Sequence, residues 1–304
     1  MLDGPTDAAT LSGRMGCVRT LTSALVSISE LADLLAGEDP PVVLDVRWAL
    51  GGPPGRQEYE ARHIPGALFV DLDGELSGEP GAGGRHPLPE PDSLRTALRK
   101  AGVRTDHPVV VYDAADGSVA ARAWWLLRWA RHEQVAVLDG GFAAWVAGDR
   151  PVSREIPAPA AGDVEVVPGG MPVLDAMGAA RFARAAVLLD ARAPHRYRGD
   201  EEPVDPRAGH IPGAVNAPFA DHSGPDGRWR SAGELAEHFA GLGVLPGEPV
   251  AAYCGSGVTA ASVVLALEVA GVTTSRQAAA LYAGSWSHWC TDEGRPVATG
   301  PEPC

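Results

Sequence analysis

The strongest constraint on the fold is an internal repeat, in which four segments of the first half recur in the same order in the second. The distance between paired positions stays between 141 and 147 residues, for example from Asp45 to Asp190 and from Asp113 to Cys254. A constant offset of this size indicates duplication of one domain rather than a short-period solenoid. The 304 residues are enough for two domains of ordinary size. The paired segments are 42–47 with 187–192, 63–67 with 210–214, 109–113 with 250–254, and 140–145 with 283–289.

Short apolar runs alternate with helical stretches in each half, which is typical of a largely parallel sheet covered by helices on both faces. We therefore predict an α/β chain made of two tandem domains of this kind. The domains are predicted at 22–152 and 173–300, joined over 153–172 by a linker rich in Pro, Ala and Gly. Predicted strands are 42–46, 109–112, 135–138, 187–190 and 250–253, and predicted helices are 28–36, 93–101, 115–131, 142–147, 173–181 and 234–242.

Two segments rich in Gly and Pro, 51–55 and 78–91, interrupt the pattern of the first half. Loops of this kind are either mobile decoration or lids over a site. The sequence leaves both alternatives open for each segment.

The segment 250–271 carries the most reactive arrangement in the chain. An apolar run at 250–253 predicts a buried strand, Cys254 follows at its end, and an Ala/Val/Leu run then predicts a helix. Backbone N–H groups at such a turn have no helical partner and favour negative charge, which stabilises a thiolate. Gly255 and Gly257 let the backbone curl around the sulfur. The structural alternative is a buried cysteine before a flexible loop, but the Gly-Ser-Gly sequence favours a nucleophile.

Asp113 stands in the first half where Cys254 stands in the second. The turn after Asp113 has no thiol, and a carboxylate at that place can itself accept hydrogen bonds from the free N–H groups. We therefore expect one working site, in the C-terminal half, and a non-catalytic first half. The first half is expected to form one wall of the cleft, because sites favour domain interfaces.

Residues 254–260, Cys-Gly-Ser-Gly-Val-Thr-Ala, resemble the active-site loop of the rhodanese superfamily, and more narrowly that of its 3-mercaptopyruvate sulfurtransferases. Residues 281–289 and the two His-Ile-Pro-Gly-Ala segments extend the resemblance over about 25–296. It implies two rhodanese-like domains, of which the second is catalytic. The implied nucleophile is Cys254, whose sulfur would become a persulfide held by the loop residues Gly255, Ser256, Gly257, Val258, Thr259 and Ala260.

The resemblance also implies residues that bind the sulfur donor. A donor carboxylate would bind Arg196, since the guanidinium fork matches both carboxylate oxygens. A second arginine is expected shortly before the second His-Ile-Pro-Gly segment, where Arg207 is the nearest candidate. The resemblance places His63 near Ser256, in a hydrogen-bonded set that an acid completes. The carboxylates between Asp45 and His63 are Glu58 and Glu60.

Other polar and aromatic residues of the second half are expected to be structural. Arg192 follows the acid at the end of a strand and is expected to pair with Asp190. His210 repeats His63 in a second turn and is expected to bond to backbone. Cys290 and the neighbouring tryptophans are expected to pack in the core.

The choice of donor and the class of activity leave alternatives. Gly255 and Ser256 stand where thiosulfate-preferring relatives carry basic residues, which favours 3-mercaptopyruvate as the donor and leaves thiosulfate as the alternative. A small thiol, thioredoxin or cyanide would accept the sulfur.

Two other classes of protein are alternatives. A cysteine-type phosphatase needs an arginine six positions after its nucleophile, and Ala260 stands there. A non-catalytic rhodanese-like binding module is the more remote alternative, and it would acquire no sulfur on Cys254.

Charge and cysteine usage exclude several classes of function. The net charge of −14 argues against a nucleic-acid surface, and no apolar run reaches the length of a membrane span. Four scattered cysteines without a C-x-x-C pair indicate neither a disulfide framework nor a zinc site, and they favour the cytoplasm. Residues 1–20 are expected to be a polar tail that contains Cys17, and Cys304 is expected to be a loose thiol. No metal or organic cofactor is implied.

Overall fold

Two parallel sheets, one in each half, organise the computed structural model, which describes residues 20–303. Residues 1–19 of the expected tail, with Cys17, lie outside the described residues, and so does Cys304. Between residues 20 and 303, no helix is both long enough and apolar enough to cross a membrane.

The described part of the first half forms a five-stranded sheet in the order β1-β5-β4-β2-β3, in which every neighbouring pair is parallel. Helices connect the strands, as parallel pairing requires. The elements are β1 (Leu25–Val26), α1 (Ile28–Leu35), β2 (Val42–Asp45), α2 (Gly55–Ala61), β3 (Leu68–Phe69), α3 (Pro91–Lys100), β4 (Val109–Tyr112), α4 (Ala120–Trp129), β5 (Val135–Leu138) and α5 (Gly141–Ala147).

The described part of the second half forms a four-stranded parallel sheet in the order β7-β6-β8-β9. A 3₁₀ turn over Phe219–His222 follows its first edge strand. The elements are α6 (Ala176–Ala185), β6 (Val187–Asp190), α7 (Pro194–Arg198), β7 (Ala214–Asn216), α8 (Ala232–Gly241), β8 (Val250–Tyr253), α9 (Ala260–Val269), β9 (Ala280–Leu281) and α10 (Ser285–Trp289).

The two sheets correspond strand for strand at their centres. In the first, Asp45 lies opposite Tyr112, and in the second Asp190 lies opposite Tyr253. Every residue of β4, β5 and β8 is buried, as continuous apolar runs predict for strands covered on both faces. The prediction of two α/β domains with parallel sheets is therefore confirmed. The predicted strands 109–112, 135–138, 187–190 and 250–253 have the observed bounds.

Helices α4 and α9 join the two halves. They follow the turns after Asp113 and Cys254, they pack against each other, and nearly all of their residues are buried. Helix α9 is apolar on nearly all sides, as expected for a buried helix, whereas α4 also buries Arg122 and Arg128. Nη1 of Arg128 on α4 lies 3.2 Å from Oε1 of Glu268 on α9. The turns that carry Asp113 and Cys254 therefore flank the same interface.

Two predicted helix starts are wrong for identifiable reasons. Helix α4 begins at Ala120 rather than at 115, because N–H groups of the preceding turn donate to the Asp113 carboxylate instead of starting a helix. Helix α6 begins at Ala176 rather than at 173, because the side chain of Asp175 caps it by accepting from the N–H of Gly178.

The residues expected to be structural in the second half take that role. Nε of Arg192 donates to Oδ1 of Asp190 at 3.0 Å, and Nη2 donates to Oδ2 at 2.6 Å. Nδ1 of His210 lies 2.8 Å from the carbonyl oxygen of Tyr197. Both side chains fix the end of β6 and the turn that leads to β7, behind the site rather than in it.

Candidate active site

Cys254 lies at the end of β8, where the sheet opens toward the first half. Its side chain is buried, and the N–H of Gly257 points at Sγ over 3.0 Å. The N–H of Cys254 donates to Oγ of Ser285 at 3.0 Å, which fixes the end of the strand. Gly257 has φ of +86°, and a Cβ there would lie 2.3 Å from the carbonyl oxygen of Ala283. The tight turn that aims an amide at the sulfur therefore requires glycine at this position.

The turn after Asp113 shows what the same fold does with a carboxylate at its centre. Oδ1 and Oδ2 of Asp113 accept four backbone hydrogen bonds of 2.9 to 3.1 Å. This confirms the expectation that the acid of the first half fills its own cradle. The donors are the N–H groups of Ala115, Gly117, Val119 and Ala120.

The corresponding amides of the second half do not bind a carboxylate of the described part of the chain. Ser256, Val258 and Ala260 stand as far after Cys254 as the first three donors stand after Asp113. Within residues 20–303, no protein acceptor takes a hydrogen bond from these three amides. In the first half their counterparts donate to the oxygens of Asp113, whereas here they are available to an anionic ligand.

A hydrogen-bonded chain from the first half reaches Ser256. Nδ1 of His86 lies 2.7 Å from Oγ of Ser256, and Nε2 of His86 lies 2.9 Å from Oδ1 of Asp73. Burial lowers the pKa of His86 below its ordinary value, and the bond to Asp73 partly opposes that shift. A neutral imidazole between a carboxylate and a hydroxyl can accept a proton from the hydroxyl of Ser256 or return one to it.

The 78–91 segment supplies His86 and covers the site. It folds on itself, since Gly78 N donates to the carbonyl oxygen of Pro87 at 3.0 Å and Gly84 N to that of Gly81 at 2.9 Å. The N–H of Arg85 donates to Oγ of Ser287 in the second half at 3.1 Å. Of the two alternatives for this segment, the structure therefore supports a cover over the site rather than mobile decoration.

The expectation that His63 lies near Ser256 is wrong. His63 is fully buried, with Nδ1 2.7 Å from the carbonyl oxygen of Tyr59 and Nε2 3.0 Å from that of Glu155. Its ring stacks on Tyr59 with centroids 4.0 Å apart. His63 therefore holds its own turn, as His210 does in the second half, and His86 takes the position beside Ser256.

Arg196 lies at the mouth of the Cys254 loop, as the sequence predicts. A Cβ on Gly255 would lie 3.4 Å from its Nη1. Two bonds to Glu202 orient the guanidinium, from Nε to Oε2 at 3.1 Å and from Nη2 to Oε1 at 2.6 Å. The first half adds Arg85, whose Nη2 would lie 3.0 Å from the same Cβ on Gly255. Sequence reasoning missed Arg85 because the packing of the two halves, not a local pattern, brings it to the loop.

The expectation that Arg207 binds the donor is also wrong. Its Nη1 donates to the carbonyl oxygen of Asp292 at 3.0 Å and its Nη2 to that of Arg295 at 3.1 Å. Its own carbonyl accepts from the indole of Trp286 at 2.8 Å. Arg207 therefore ties the chain after α10 to the segment before β7.

Arg122, the third residue of α4, places a buried cation behind the loop. Its Nη1 lies 3.3 Å from the carbonyl oxygen of Gly257, and its Nη2 lies 3.2 Å from that of His86. Among residues 20–303 its partners are backbone carbonyl oxygens, that of Pro87 included at 3.3 Å, rather than a carboxylate, and its Nε has no hydrogen-bond partner. Burial lowers the pKa of Arg122 to about 10, and the charge of Cys254 opposes this shift. An unpaired buried guanidinium favours an anion close by, and Cys254 is the group that can supply it.

Comparison with known proteins extends the likeness to both halves. A family model for the rhodanese-like domain matches residues 27–148 and 174–292. The structure of SseA from Escherichia coli, described as a 3-mercaptopyruvate sulfotransferase of rhodanese fold, aligns with a TM-score of 0.76 at 33% identity. That alignment covers 88% of this chain and 100% of the other.

Relatives of similar length carry two kinds of name. A probable 3-mercaptopyruvate sulfurtransferase of Pseudomonas aeruginosa is 45% identical over 288 residues, which span 92% of this chain and 99% of that protein. A putative thiosulfate sulfurtransferase of Mycobacterium tuberculosis, SseB, is 44% identical over 282 residues, which span 91% and 97%. The human 3-mercaptopyruvate sulfurtransferase is 36% identical over 281 residues, which span 88% and 92%.

Proposed function

The chain belongs to the rhodanese family and is a sulfurtransferase of two rhodanese-like domains, and we propose that it moves the sulfur of 3-mercaptopyruvate through a persulfide on Cys254 to a thiol or cyanide. The observation that carries this proposal is the position of Sγ of Cys254. The sulfur lies at the end of β8, and the N–H of Gly257 points at it. Two residues after Cys254, the hydroxyl of Ser256 is hydrogen-bonded to His86.

In the first half-reaction, the Cys254 thiolate attacks the sulfur of the donor. A sulfur–sulfur bond forms, the bond between sulfur and C3 of the donor breaks, and the electron pair goes to C3. The proton of the donor thiol ends on C3, so the products are pyruvate and a persulfide anion on Cys254. Atoms and charge balance without an external oxidant or reductant.

Ser256 and His86 are positioned to handle the proton of this step. The Ser256 hydroxyl can accept a hydrogen bond from the donor thiol and donate one toward C3, while His86, neutral because it is buried, completes the chain to Asp73. His86 thus takes the role that the sequence suggested for His63.

The amides of Ser256, Val258 and Ala260 are proposed to hold the outer sulfur of the persulfide. Asp113 supports this role, since its carboxylate draws four hydrogen bonds from the equivalent turn. Fixed amides stabilise the developing negative charge without reorganising. In the second half-reaction, an acceptor thiol takes the outer sulfur as its own persulfide and the Cys254 thiolate is restored.

The charge at the mouth of the loop favours a donor with one carboxylate. Arg85 and Arg196 are each paired with acids, Asp205 and Glu202, so the mouth has little excess positive charge. A dianion such as thiosulfate gains less there than a monocarboxylate that fits the guanidinium forks. Thiosulfate remains the second candidate, because two guanidinium groups lie over Gly255 and one relative carries that name.

The acceptor is proposed to be a small thiol, thioredoxin or cyanide, and the compartment the cytoplasm. Cys254 and Cys290 are both free and buried, as expected for a protein that works under reducing conditions. Such conditions also keep acceptor thiols available.

Kinetics with both donors test the proposal directly. We expect kcat/KM to be higher with 3-mercaptopyruvate than with thiosulfate, and we expect mass spectrometry to find one added sulfur atom on Cys254 after incubation with the donor. Cys254→Ser should abolish both. A higher kcat/KM with thiosulfate would overturn the donor, and no added sulfur with either donor would leave a binding module as the function.

A further inference from the structure

One buried carboxylate bridges two arginines in front of the Cys254 loop. Oδ1 of Asp205 accepts from Nη1 of Arg85, and Oδ2 accepts from Nη2 of Arg196 at 3.1 Å. The Asp205 side chain is only 4% exposed. Arg85 comes from the first half and Arg196 from the second, and both guanidinium groups lie over Gly255. The two oxygens of Asp205 therefore bind one arginine from each half. Both arginines lie over Gly255, the residue that follows the proposed nucleophile Cys254.

This contact has the geometry that a small carboxylate ligand needs. Guanidinium groups bind carboxylate oxygens with short, charge-assisted hydrogen bonds. Two of them facing one carboxylate form a site whose occupant must be anionic. Asp205 fills that site with a carboxylate of the chain itself.

We propose that Arg85 and Arg196 together form the donor's carboxylate site, and that Asp205 is an internal carboxylate which occupies this site until the donor replaces it. The proposal rests on the proposed function, and it adds Arg85 as a donor-binding residue and Asp205 as a competitor for the same site. It also gives the donor a chemical requirement, a carboxylate close to the transferable sulfur.

The Arg196 guanidinium and the backbone of Arg85 are held independently of Asp205. The backbone of Arg85 is fixed through its N–H on Ser287, and Gly84 packs so closely that a Cβ there would lie 2.7 Å from the carbonyl oxygen of Gly284. Arg196 keeps both of its bonds to Glu202. A departing Asp205 would therefore leave the Arg196 guanidinium in place and release the Arg85 guanidinium, whose backbone stays fixed at the loop, for the donor carboxylate.

Asp205 lies on a segment without regular secondary structure. It stands between α7 and β7, where the described chain has neither helix nor strand over 199–213. The N–H groups of Val204 and Asp205 donate to Oε1 of Glu202 at 3.1 and 3.2 Å. Burial raises the pKa of Asp205, which reflects the cost of holding this carboxylate away from water. A donor carboxylate that enters would return the Asp205 side chain to solvent.

Pyruvate, the carboxylic product, is a probe that binds without sulfur transfer. We would measure its affinity by calorimetry in the Cys254→Ser protein and compare Asp205→Asn, Arg85→Gln and Arg85→Lys. Asp205→Asn should bind pyruvate about tenfold more tightly, since the competing charge is gone, and Arg85→Gln should bind it about tenfold less tightly. Arg85→Lys should fall between, because it keeps the charge and loses the fork. Asp200→Asn, an exposed change in the same segment, is the matched control and should leave the affinity unchanged.

The outcomes separate this inference from the proposed function. Pyruvate affinity that is equal in Asp205→Asn and the parent protein, or equal in Arg85→Gln and the parent, overturns the inference. Affinities that shift as expected in a protein that transfers no sulfur from 3-mercaptopyruvate keep the site and remove the proposed donor. If Asp205→Asn melts at a lower temperature, Asp205→Ala is measured at a temperature where both variants are folded, and its affinity must also rise.

Discussion

Nδ1 of His86 lies 2.7 Å from Oγ of Ser256, although 170 positions separate the two residues in the chain. The first half, which has no thiol of its own at Asp113, therefore contributes an acid–base group to the loop of the second half. In the proposed mechanism the cysteine and its amides come from one half, and the proton relay with half of the proposed donor site comes from the other.

The first prediction concerns this relay. His86→Asn should lower kcat with 3-mercaptopyruvate by about 100-fold or more, the usual scale of general acid–base catalysis. Transfer from thiosulfate releases sulfite and moves no proton to carbon, so its kcat should change much less. Steady-state kinetics with both donors checks this. An equal loss with the two donors would show that His86 only supports the loop.

The second prediction concerns pH. Burial lowers the pKa of His86, so its neutral form persists below the ordinary value of 6.5, and the 3-mercaptopyruvate rate should hold through that pH before it falls. Trp48 packs its edge on the His86 ring, with centroids 5.5 Å apart. Trp48→Ala admits water and should move the acid limb of the kcat profile to higher pH, whereas Trp48→Phe should leave it nearly in place. Identical profiles in the two variants would contradict this.

The third prediction separates two arginines that the sequence treats alike. Arg196→Ala should raise KM for 3-mercaptopyruvate by about 10- to 100-fold, since a charged hydrogen-bonded pair is lost. Arg207→Ala should leave KM unchanged and lower the melting temperature, because its guanidinium binds the carbonyl oxygens of Asp292 and Arg295. Initial-rate kinetics and thermal unfolding of both variants check this. A raised KM in Arg207→Ala would return that residue to the donor site.

The fourth prediction concerns the buried cation behind the loop. Arg122→Met should slow the alkylation of Cys254 by iodoacetamide at pH 7 by about tenfold, which equals about 1.4 kcal/mol of lost charge stabilisation. Arg128→Met is the matched control on the same helix, since Arg128 pairs with Glu268 instead. Mass spectrometry of the Cys254 peptide gives the rate in each folded variant. Equal rates in the two variants would remove Arg122 from the electrostatics of the thiol.

Local pattern was sufficient for the central strands and for the position of Cys254 between a strand and a helix, but it did not reveal the two-residue and three-residue strands β1, β3, β7 and β9. Continuous apolar runs mark β4, β5, β6 and β8, because strands buried on both faces tolerate few polar residues. The turn at Cys254 follows from a strand, two glycines and a helix. The acceptor for the free N–H groups of the first-half turn could also be foreseen, because Asp113 stands at its centre and accepts four of them.

Contacts between the two halves could not be predicted from local sequence patterns. His86, Asp73 and Arg85 lie in segments without periodicity, and the packing of the two halves brings them to the Cys254 loop. The resemblance, not the repeat, placed His63 beside Ser256; the recurrence of His63 as His210 favoured a structural role, and both rings bond to backbone carbonyls at their turns. A residue that acts in one half only, such as His86, has no counterpart in the repeat that would reveal it.

The last prediction tests the loop that aims an amide at the sulfur. Gly257 and Gly243 both have positive φ, +86° and +82°, so alanine at either position carries the same backbone strain of about 1 to 2 kcal/mol. Only at Gly257 would the new methyl group collide, at 2.3 Å, with the carbonyl oxygen of Ala283. Gly257→Ala should therefore lose the persulfide found by mass spectrometry, while Gly243→Ala should keep it at a slightly lower melting temperature. A persulfide at full yield in Gly257→Ala would mean that the amide pointed at Sγ is not needed to hold the charged sulfur.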